Sequence, residues 1–593
     1  MISDWVKSLK KVYFMKSRIA SNWYEFIFFL SFVLVPIIDS LNGYLLFTFG
    51  QSVLGQLFRT VVILIFSTLI IKYSSAPKLL KLCLLIIPLL LLQIGYFLIY
   101  HSIHGLVFDL TNIFKIIFII VSIETFRVLK KEELVSKGTI ENILNFCLIL
   151  FPLTILIPKI LGVGYSAYSN GGGYSAFYYA NNDINIVLIV LLIYSLDLLF
   201  NSVSLHQFKF RYLFLLILMV VVTLLIGSKS SIAFFVISIL IYLLRSFRIN
   251  SIKSSINFLV GILISVSIFL MLVLTVFAQT VGKIIERNLY FFRISNNIID
   301  YIFSDRNLFL DSALHFIYSD HILPKVIFGI GFYQKNVNTG IAVSHFFGSA
   351  PRQIEMDIFD TFFAYGLIGF ILIYGYIFLI YIRHLVYSKK KKELFGYNLS
   401  FIVIIAFSTL AGHVLYSALS GSFLALICSM LLIENDEKDS KTDICLISSS
   451  GGHLEQLKRL LPIVKEYSHT IITEKNTSTS NMNNFYEVNY LIQQDRKKTL
   501  FILVYLINFL ISAVFYLRFR PKIIISTGAG VVIPFCLIGK LFGSKIIFIE
   551  SFAKVNSPTI TGRIVYKFAD QFYIQWTDLK KCYPKGIYRG TIY

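Results

Sequence analysis

The sequence predicts a polytopic α-helical membrane domain of about twelve spans, with both termini inside, fused to a cytosolic α/β domain built on a parallel sheet. Three observations lead there. Of the 593 residues, 56% are hydrophobic and only 15% charged, with mean hydropathy +0.76; soluble chains have about half and about a quarter. Apolar runs long enough to cross ~30 Å of hydrocarbon recur as far as residue 433. Beyond Glu434 the pattern changes to short buried strands alternating with helices. This composition excludes a disordered chain, a fibrous repeat and a secreted disulfide scaffold. The net charge of +22 leaves nucleic acid, an acidic substrate and membrane topology to be told apart.

Residues 1–22 are basic and lack a short apolar core with a small-residue cleavage site, so they read as a retained cytosolic leader. The membrane domain, 23–433, has candidate spans near 23–42, 53–73, 80–100, 105–125, 141–161, 184–200, 210–227, 230–245, 256–278, 361–382, 398–413 and 416–433. GSKSS alone separates the pair at 210–245, which reads as two spans with a re-entrant hairpin as the alternative. Basic residues set the orientation. Lys7, Lys10, Lys11, Lys16 and Arg18 precede the first span, and Lys72, Lys78, Arg127, Lys130, Lys209, Arg245 and the run Lys389–Lys392 fall in alternate loops. Those loops are inside. Most of the basic excess is thereby a topology signal.

One outer segment, 279–360, departs from the pattern. Its bases, Lys283, Arg287, Arg293, Arg306, Lys325, Lys335 and Arg352, are balanced by Glu286, Asp300, Asp305, Asp311, Asp320, Glu355, Asp357 and Asp360. An ordinary folded cap accounts for such a balance. The functional reading gives arginines the task of clamping diphosphate oxygens in bidentate fashion, and His315, His321 or His345 that of a base near neutral pH. Arg59 and Lys115 inside spans should face the bundle interior, either paired with Asp109 or Glu124 or approaching the same anion. His101 and His104 have HxxH spacing without a third ligand, and the six cysteines form no CxxC pair, so no metal site is expected.

Several of these segments resemble landmarks of the O-antigen polymerase and ligase family: NGGGYSAFYYANNDINIVL, IGSKSSIAFFVI, VIFGIGFYQ and SHFFGSAPRQIEMDIFDTFFAYGLIGFILIYGY. The resemblance covers roughly residues 20–433. It implies transfer of an oligosaccharide from one polyprenyl diphosphate to a sugar hydroxyl on another, with the lipid diphosphate as leaving group and no cofactor. Arg287, Arg293 and Arg352 are then the candidates for stabilising the leaving group, and His345 or Glu355 for the base. Lys229 stands where many members have an arginine after the serine, a weaker anion clamp.

The linker ENDEKDSKTD, 434–443, leads into the tail, 444–593. DICLISSS, HTIITE, KIIIST, KIIFIESF and QFYIQW read as strands, with helices between them. Two strand–glycine–helix junctions, SSSGGH at 448–453 and STGAG at 526–530, suit phosphate oxygens, because glycine permits the turn and a helix start offers free N–H groups. Neither matches GxGxxG or a P-loop. The apolar stretch 497–522 is flanked by Arg496, Lys497, Lys498, Arg518, Arg520 and Lys522. It reads as lying in the membrane interface rather than spanning. The tail's basic excess fits an anionic leaflet, and no nucleic-acid recognition motif accompanies it.

SSSGGHLEQL, IISTGAGVVIPF and IFIESFAKVNSPTITGRIVYKFADQFYIQW closely resemble the membrane-associated subunit of the two-part N-acetylglucosaminyltransferase acting on dolichyl diphosphate sugar, and its bacterial capsule relatives. The resemblance spans 441–593 and implies a Rossmann-like half of a GT-B glycosyltransferase, the half that holds the lipid-linked acceptor. It places Gly451, Gly452 and His453 beside the acceptor diphosphate, with Ser526, Thr527 and Gly528 opposite. Glu550, Ser557 and Trp576 fall in the most distinctive stretch, as contacts or as support. A separate cytosolic donor-binding subunit is implied as partner.

Together these readings describe a multi-pass plasma-membrane protein of bacterial capsule, exopolysaccharide or O-antigen-like biosynthesis. Its membrane half polymerises polyprenyl-diphosphate-linked repeats, and its tail recruits and holds acceptor for a glycosyltransferase. The alternatives are a ligase that transfers glycan to another acceptor, and a transporter of lipid-linked sugar with a regulatory tail.

Overall fold

The computed structural model describes residues 23–167, 173–204, 210–249, 252–275, 278–294, 297–304, 306–317, 322–343, 350–388, 393–432, 443–482, 486, 488–494 and 501–592. The chain divides into two compact units, Met1–Tyr381 with Lys389–Leu432, and Ile382–Ser388 with Ile433–Tyr593.

The first unit is helical: α1 (Trp23–Phe49), α2 (Leu54–Tyr73), α3 (Ala76–Tyr100), α4 (Ile103–Lys131), α5 (Lys137–Ile160), α6 (Asn181–Ser204), α7 (Phe210–Ile226), α8 (Lys229–Ile249) and α9 (Ile252–Thr275). There follow α10 (Ala278–Ile294), α11 (Ile298–Phe303), α12 (Arg306–Ile317), α13 (Ile322–Phe328), α14 (Phe332–Ala342), α15 (Asp357–Tyr387), α16 (Phe395–Leu410) and α17 (Ala418–Met430). Eight of the described helices are long and apolar enough to cross a membrane. Three shorter ones, α7, α16 and α17, and the longer α9 stand where the remaining expected spans lie. The bundle is built around α6, whose apolar stretch is almost wholly buried, whereas α3 turns most of its surface outward. Along α3 the exposed residues Leu80, Leu84, Leu91 and Leu98 recur at three- and four-residue multiples, a stripe facing lipid.

The described residues of segment 279–360 form five short helices, α10–α14, with a small core of Ala313, Ile317, Ile330, Ile354, Met356 and Phe363. Two of the family-like motifs meet here. α15 breaks at Gly366, where φ is 61°, and the freed carbonyls of Phe363 and Ala364 accept from Ile330 N (3.1 Å) and Gly331 N (2.9 Å). A Cβ on Gly366 would stand 2.4 Å from the Ile327 carbonyl oxygen. Only glycine permits this approach. At the other side of the cap, Asp109 of α4 accepts from Tyr333 N at 2.6 Å and so fastens the start of α14.

The second unit carries a parallel sheet of order β3-β2-β1-β4-β5-β6-β7. Its strands are β1 (Ile444–Ser448), β2 (His469–Lys475), β3 (Val488–Ile492), β4 (Ile523–Gly528), β5 (Lys545–Ile549), β6 (Gln571–Ile574) and β7 (Ile587–Tyr588). After β1 the chain forms two helices, α18 (Gly452–Lys458) and α19 (Leu461–Val464), because Pro462 cannot donate into a continuing helix. α20 (Phe501–Phe519), α21 (Ile533–Leu541) and α22 (Ile560–Val565) complete the layer connections. β3 and β7 add edges that the composition of the tail does not advertise.

α20 takes up residues 501–519 of the apolar stretch 497–522 and is the crossover helix between β3 and β4. Asn508, fully buried, accepts from Ile492 N (2.9 Å) and donates to Ile492 O (2.8 Å), while Tyr516 and Phe519 enter the sheet core. Its apolarity has a packing cause on one face.

Candidate functional site

In the first unit, segment 350–356, the turn 411–417 and the start of α6 converge. Arg306 Nη2 donates to Glu355 Oε2 at 2.6 Å, and His413 Nε2 lies 3.7 Å from Glu355 Oε1. Glu355 and His413 both have φ of 63°, as does Gly412, the residue before His413 in the turn. A Cβ on Gly412 would stand 2.5 Å from the Glu355 carbonyl carbon. Left-handed non-glycine residues are uncommon and cluster at ligand sites. Burial alone would raise the Glu355 carboxyl; His413 and Arg306 outweigh it and hold the group down at about 2. Burial would likewise lower the His413 imidazole, but Glu355 carries it up to about 9. At neutral pH the group is therefore Arg306⁺, Glu355⁻ and His413⁺, with net positive charge.

The two neighbouring acids have structural tasks. Asp357 accepts from the backbone of His413 (2.7 Å), Val414 (2.7 Å) and Leu415 (3.0 Å) and from Ser408 Oγ (2.9 Å), so it shapes the 411–417 turn. Asp360 forms a buried ion pair with Lys335 and accepts from Ile354 N and Met356 N, pinning the 350–356 segment to α14. Both lend Glu355 its position.

Beneath this group lies a second polar set. Asn182 Nδ2 donates to Ala411 O at 3.1 Å, and Asp183 lies in electrostatic reach of His413, Lys115 and Asp39. Lys115 Nζ donates to Asn112 Oδ1 at 3.1 Å, and Arg59 is paired with Asp39. The expected pairing of Arg59 and Lys115 with Asp109 or Glu124 is corrected here. Asp109 serves the cap, and Glu124 takes Arg127 and Tyr376. Asp183 Oδ1, both amide atoms of Asn185, Asp39 Oδ2 and Arg59 Nε are buried without a protein partner. Such atoms are costly among apolar helices, so this polar set is a burden the bundle carries beneath the charge group.

Of the residues expected to act, Glu355 stands at the centre of the group. Arg352, three residues earlier, donates its backbone N–H to Asn336 O (2.9 Å) and holds its guanidinium 5.7 Å from the Phe309 ring. Arg287 and Arg293 lie on α10, which packs against α7, α9 and α11. His345 and His321 fall outside the described residues, and His315 pairs with Asp311 on an exposed helix face. Lys229, at the start of α8, donates to Tyr301 O (3.1 Å) and sits over its ring. His413 and Asp183 were passed over. The signals were there, as the GH pair interrupting an apolar run at 412–413 and the NND triplet at 181–183.

In the second unit the two glycine junctions meet between β1 and β4, where the strand order reverses. Ligands of such sheets sit in the crevice at this point. Register pairs Ser448 with Gly528 after an irregularity. Ser449 N donates to Gly528 O (2.8 Å), His453 Nδ1 lies 2.5 Å from Thr527 O, and Thr527 Oγ1 donates to His453 O (2.7 Å). Gly528 has φ 103°, and a Cβ there would reach 3.0 Å from the imidazole of His453. Around Gly451 and Gly452 a Cβ would meet nothing, so the turn is open on the crevice side. Ser526 is buried, its Oγ accepting from Gly528 N at 3.3 Å. Glu474, not anticipated, closes the crevice from β2 by accepting from Ser450 N (3.3 Å) and Gln494 N (2.9 Å).

Glu550 lies apart from the glycines. It is fully buried and accepts from Tyr583 OH (2.6 Å), Thr559 Oγ1 (2.8 Å) and Ser551 N (2.8 Å), and Trp576 Nε1 donates to Phe552 O nearby. This network ties the end of β5 to the closing segment.

Residues 286–438 match a family model described as O-antigen ligase like membrane protein, and residues 444–592 match one described as Oligosaccharide biosynthesis protein Alg14 like. Among curated proteins, the chain is similar to the UDP-N-acetylglucosamine transferase subunit ALG14 of Homo sapiens, 26% identical over 25% of this chain and 82% of that protein. The Schizosaccharomyces pombe subunit of the same name is 38% identical over 14% of this chain and 42% of its own.

Proposed function

We propose that the protein is a bifunctional component of surface-glycan assembly. Its membrane unit polymerises polyprenyl-diphosphate-linked oligosaccharide repeats, and its tail is the acceptor-binding, membrane-recruiting half of a glycosyltransferase whose donor-binding half is a separate cytosolic subunit. The single observation that carries the membrane reading is Glu355 held between Arg306 and His413, inside the region that matches the O-antigen ligase-like family.

The chemistry follows from that charge group. The acceptor hydroxyl attacks the anomeric carbon of the donor glycan, and the anomeric C–O bond breaks with its electron pair leaving on the diphosphate. Arg306 and protonated His413, with Arg352, Arg287 and Arg293 as further candidates, stabilise that departing charge. A bound diphosphate draws on the two cations that hold Glu355 acidic, which raises the basicity of the carboxylate. Glu355 can then take the hydroxyl proton, with His345 the other candidate base. In the tail, Gly451, Gly452, His453, Ser526, Thr527 and Gly528 rim the crevice proposed for the acceptor diphosphate. Glu550 supports the wall. The proposed orientation has both termini inside, the charge group outside and the tail cytosolic in a bacterial plasma membrane.

The test is product analysis in a polysaccharide-producing host. Glu355→Gln should leave single lipid-linked repeats in place of polymer. Long chains of ordinary length from that variant would remove the assignment. A ligase would instead leave full-length glycan on the lipid carrier, so the same gel separates the two transferases.

A further inference from the structure

We propose that the aromatic surface formed by the end of α1 and the α5–α6 connection, with the polar cleft beside it, is a binding platform for the glycan chain of the lipid-linked substrate. The proposal rests on the reading of the membrane unit as an oligosaccharide transferase and assigns it a sugar subsite. Phe47 packs on Tyr165 with ring centroids 4.1 Å apart and on Tyr179 at 5.8 Å, while Tyr44 meets Phe177 at 5.2 Å and Phe177 meets Tyr165 at 6.0 Å. Although mutually packed, the cluster is open. Tyr179 remains 67% exposed and Phe47 43%. A cleft of about 260 Å³ adjoins it, lined by Lys159, Ser166, Tyr174 and glycine backbone.

The described residues of the connection, 161–167 and 173–180, are held in this shape by their own backbone. Tyr165 N donates to Ala176 O (2.7 Å) and Ser175 N to Tyr165 O (3.0 Å), and the Tyr174 hydroxyl donates to Val163 O. Gly164 has φ 98°, and a Cβ on it would strike the Tyr174 hydroxyl at 2.5 Å. Lys159 Nζ rests 4.8 Å from the Tyr174 ring centroid, with its ammonium beside the cleft.

A pyranose has a flat C–H face and a rim of hydroxyls. The first stacks on exposed aromatic rings, and the second needs the hydroxyl, ammonium and backbone groups that line the cleft. The platform is also joined to the charge group by three consecutive residues. Asn181 donates to Ala167 O in the connection, Asn182 donates to Ala411 O two residues before His413, and Asp183 lies in electrostatic reach of His413. A glycan whose anomeric carbon reacts at Glu355 and His413 would therefore lay its further sugars along this surface. Aromatic rings at a membrane boundary also arise as headgroup anchors, and the experiment separates that origin.

The full-length protein in phosphatidylcholine nanodiscs is titrated with free oligosaccharide released by mild acid from the lipid-linked pool of producing cells, a probe with neither lipid nor diphosphate. Wild type should bind it, Tyr179→Leu should weaken binding tenfold or more, and Tyr179→Trp, which keeps a stacking face, should retain it. Phe47→Leu should weaken it likewise. Equal binding by wild type and Tyr179→Leu, as a lipid anchor would give, overturns the platform; so does failure of the free oligosaccharide to bind wild type. The reading beneath it fails separately, through continued polymerisation by Glu355→Gln in cells, an outcome that leaves a loss of oligosaccharide binding in Tyr179→Leu intact.

Discussion

Glu355 and His413 face each other with carboxylate and imidazole 3.7 Å apart, each on backbone of φ 63°. They come from segments separated by the whole of α15 and α16, and they meet because Asp357 binds three successive N–H groups of the turn that carries His413. One acid thus builds the turn and its neighbour two residues earlier holds the imidazole.

Removing either partner should stop transfer without unfolding the bundle. Glu355→Gln and His413→Gln are expected to reduce polymer formation by about a hundredfold or more, the scale of positioned acid–base and charge effects, with lipid-linked single repeats accumulating. Full-length polymer from His413→Gln, read on the same gel, would assign the imidazole a structural task only.

The pair also predicts a pH window for stability. His413, raised from 6.5 to about 9, contributes fully below about pH 6.5, and its contribution is lost as pH rises through about 9. Glu355, lowered from 4.5 to about 2, contributes above about pH 4.5 and loses its share as pH falls through about 2. The Tm difference between wild type and His413→Gln should therefore be greatest between these limits and shrink above pH 9. A difference that stays constant from pH 6 to 10 would dissociate the imidazole from the carboxylate.

Asp357→Asn should act differently from Glu355→Gln. It keeps the size of the side chain but replaces an acceptor oxygen with a donor amide facing backbone N–H groups. A loss of about 1–3 kcal/mol is expected for each buried donor left without its partner. The readout is thermal stability in detergent, where Asp357→Asn should fall well below wild type.

In the tail, Gly528→Ala should block repeat completion rather than polymerisation. The new methyl group meets the His453 imidazole at 3.0 Å in a left-handed backbone, a strain of about 1–3 kcal/mol placed at the crevice between β1 and β4. Extracts should then lack the completed lipid-linked repeat. Normal amounts of completed repeat would show that the crevice tolerates displacement of His453 and would count against an acceptor site there.

Asn508→Leu tests the reading of α20 as a crossover helix. The substitution keeps the branched shape, with somewhat more bulk, and removes both hydrogen bonds to Ile492. It should destabilise the tail, seen as faster proteolysis between β3 and α20, because β3 is an edge strand held on that side by this contact. A helix resting only in lipid would accept leucine without cost.

Much of this architecture was written in local pattern. Among the described residues the apolar runs marked α1–α9 and α15–α17 but not the five helices α10–α14, since a span must be apolar along its whole length whatever it packs against. The strand–glycine–helix junctions at Gly451 and Gly528 announced the sheet crevice, because a turn of positive φ needs glycine in any surroundings. Glu355 enters as a candidate base through the family resemblance of the segment SHFFGSAPRQIEMDIFD. The sequence could not reveal its partners. His413 looked like the end of a span, and Arg306 was one base among several in a balanced loop. Asp357 and Asp360 read in the sequence only as acids that balance the bases of the segment, and the backbone donors around them give them structural tasks. α20 reads as an interfacial helix in the sequence, where burial against a sheet and burial in lipid ask for the same residues; Asn508 on Ile492 identifies the face that meets the sheet. Composition and periodicity determine what a segment must hide, and they act at short range. Which charged groups meet depends on how separate segments cross, and that was decided by the fold, through the break at Gly366 and the Asp357-bound turn that carries His413 to Glu355.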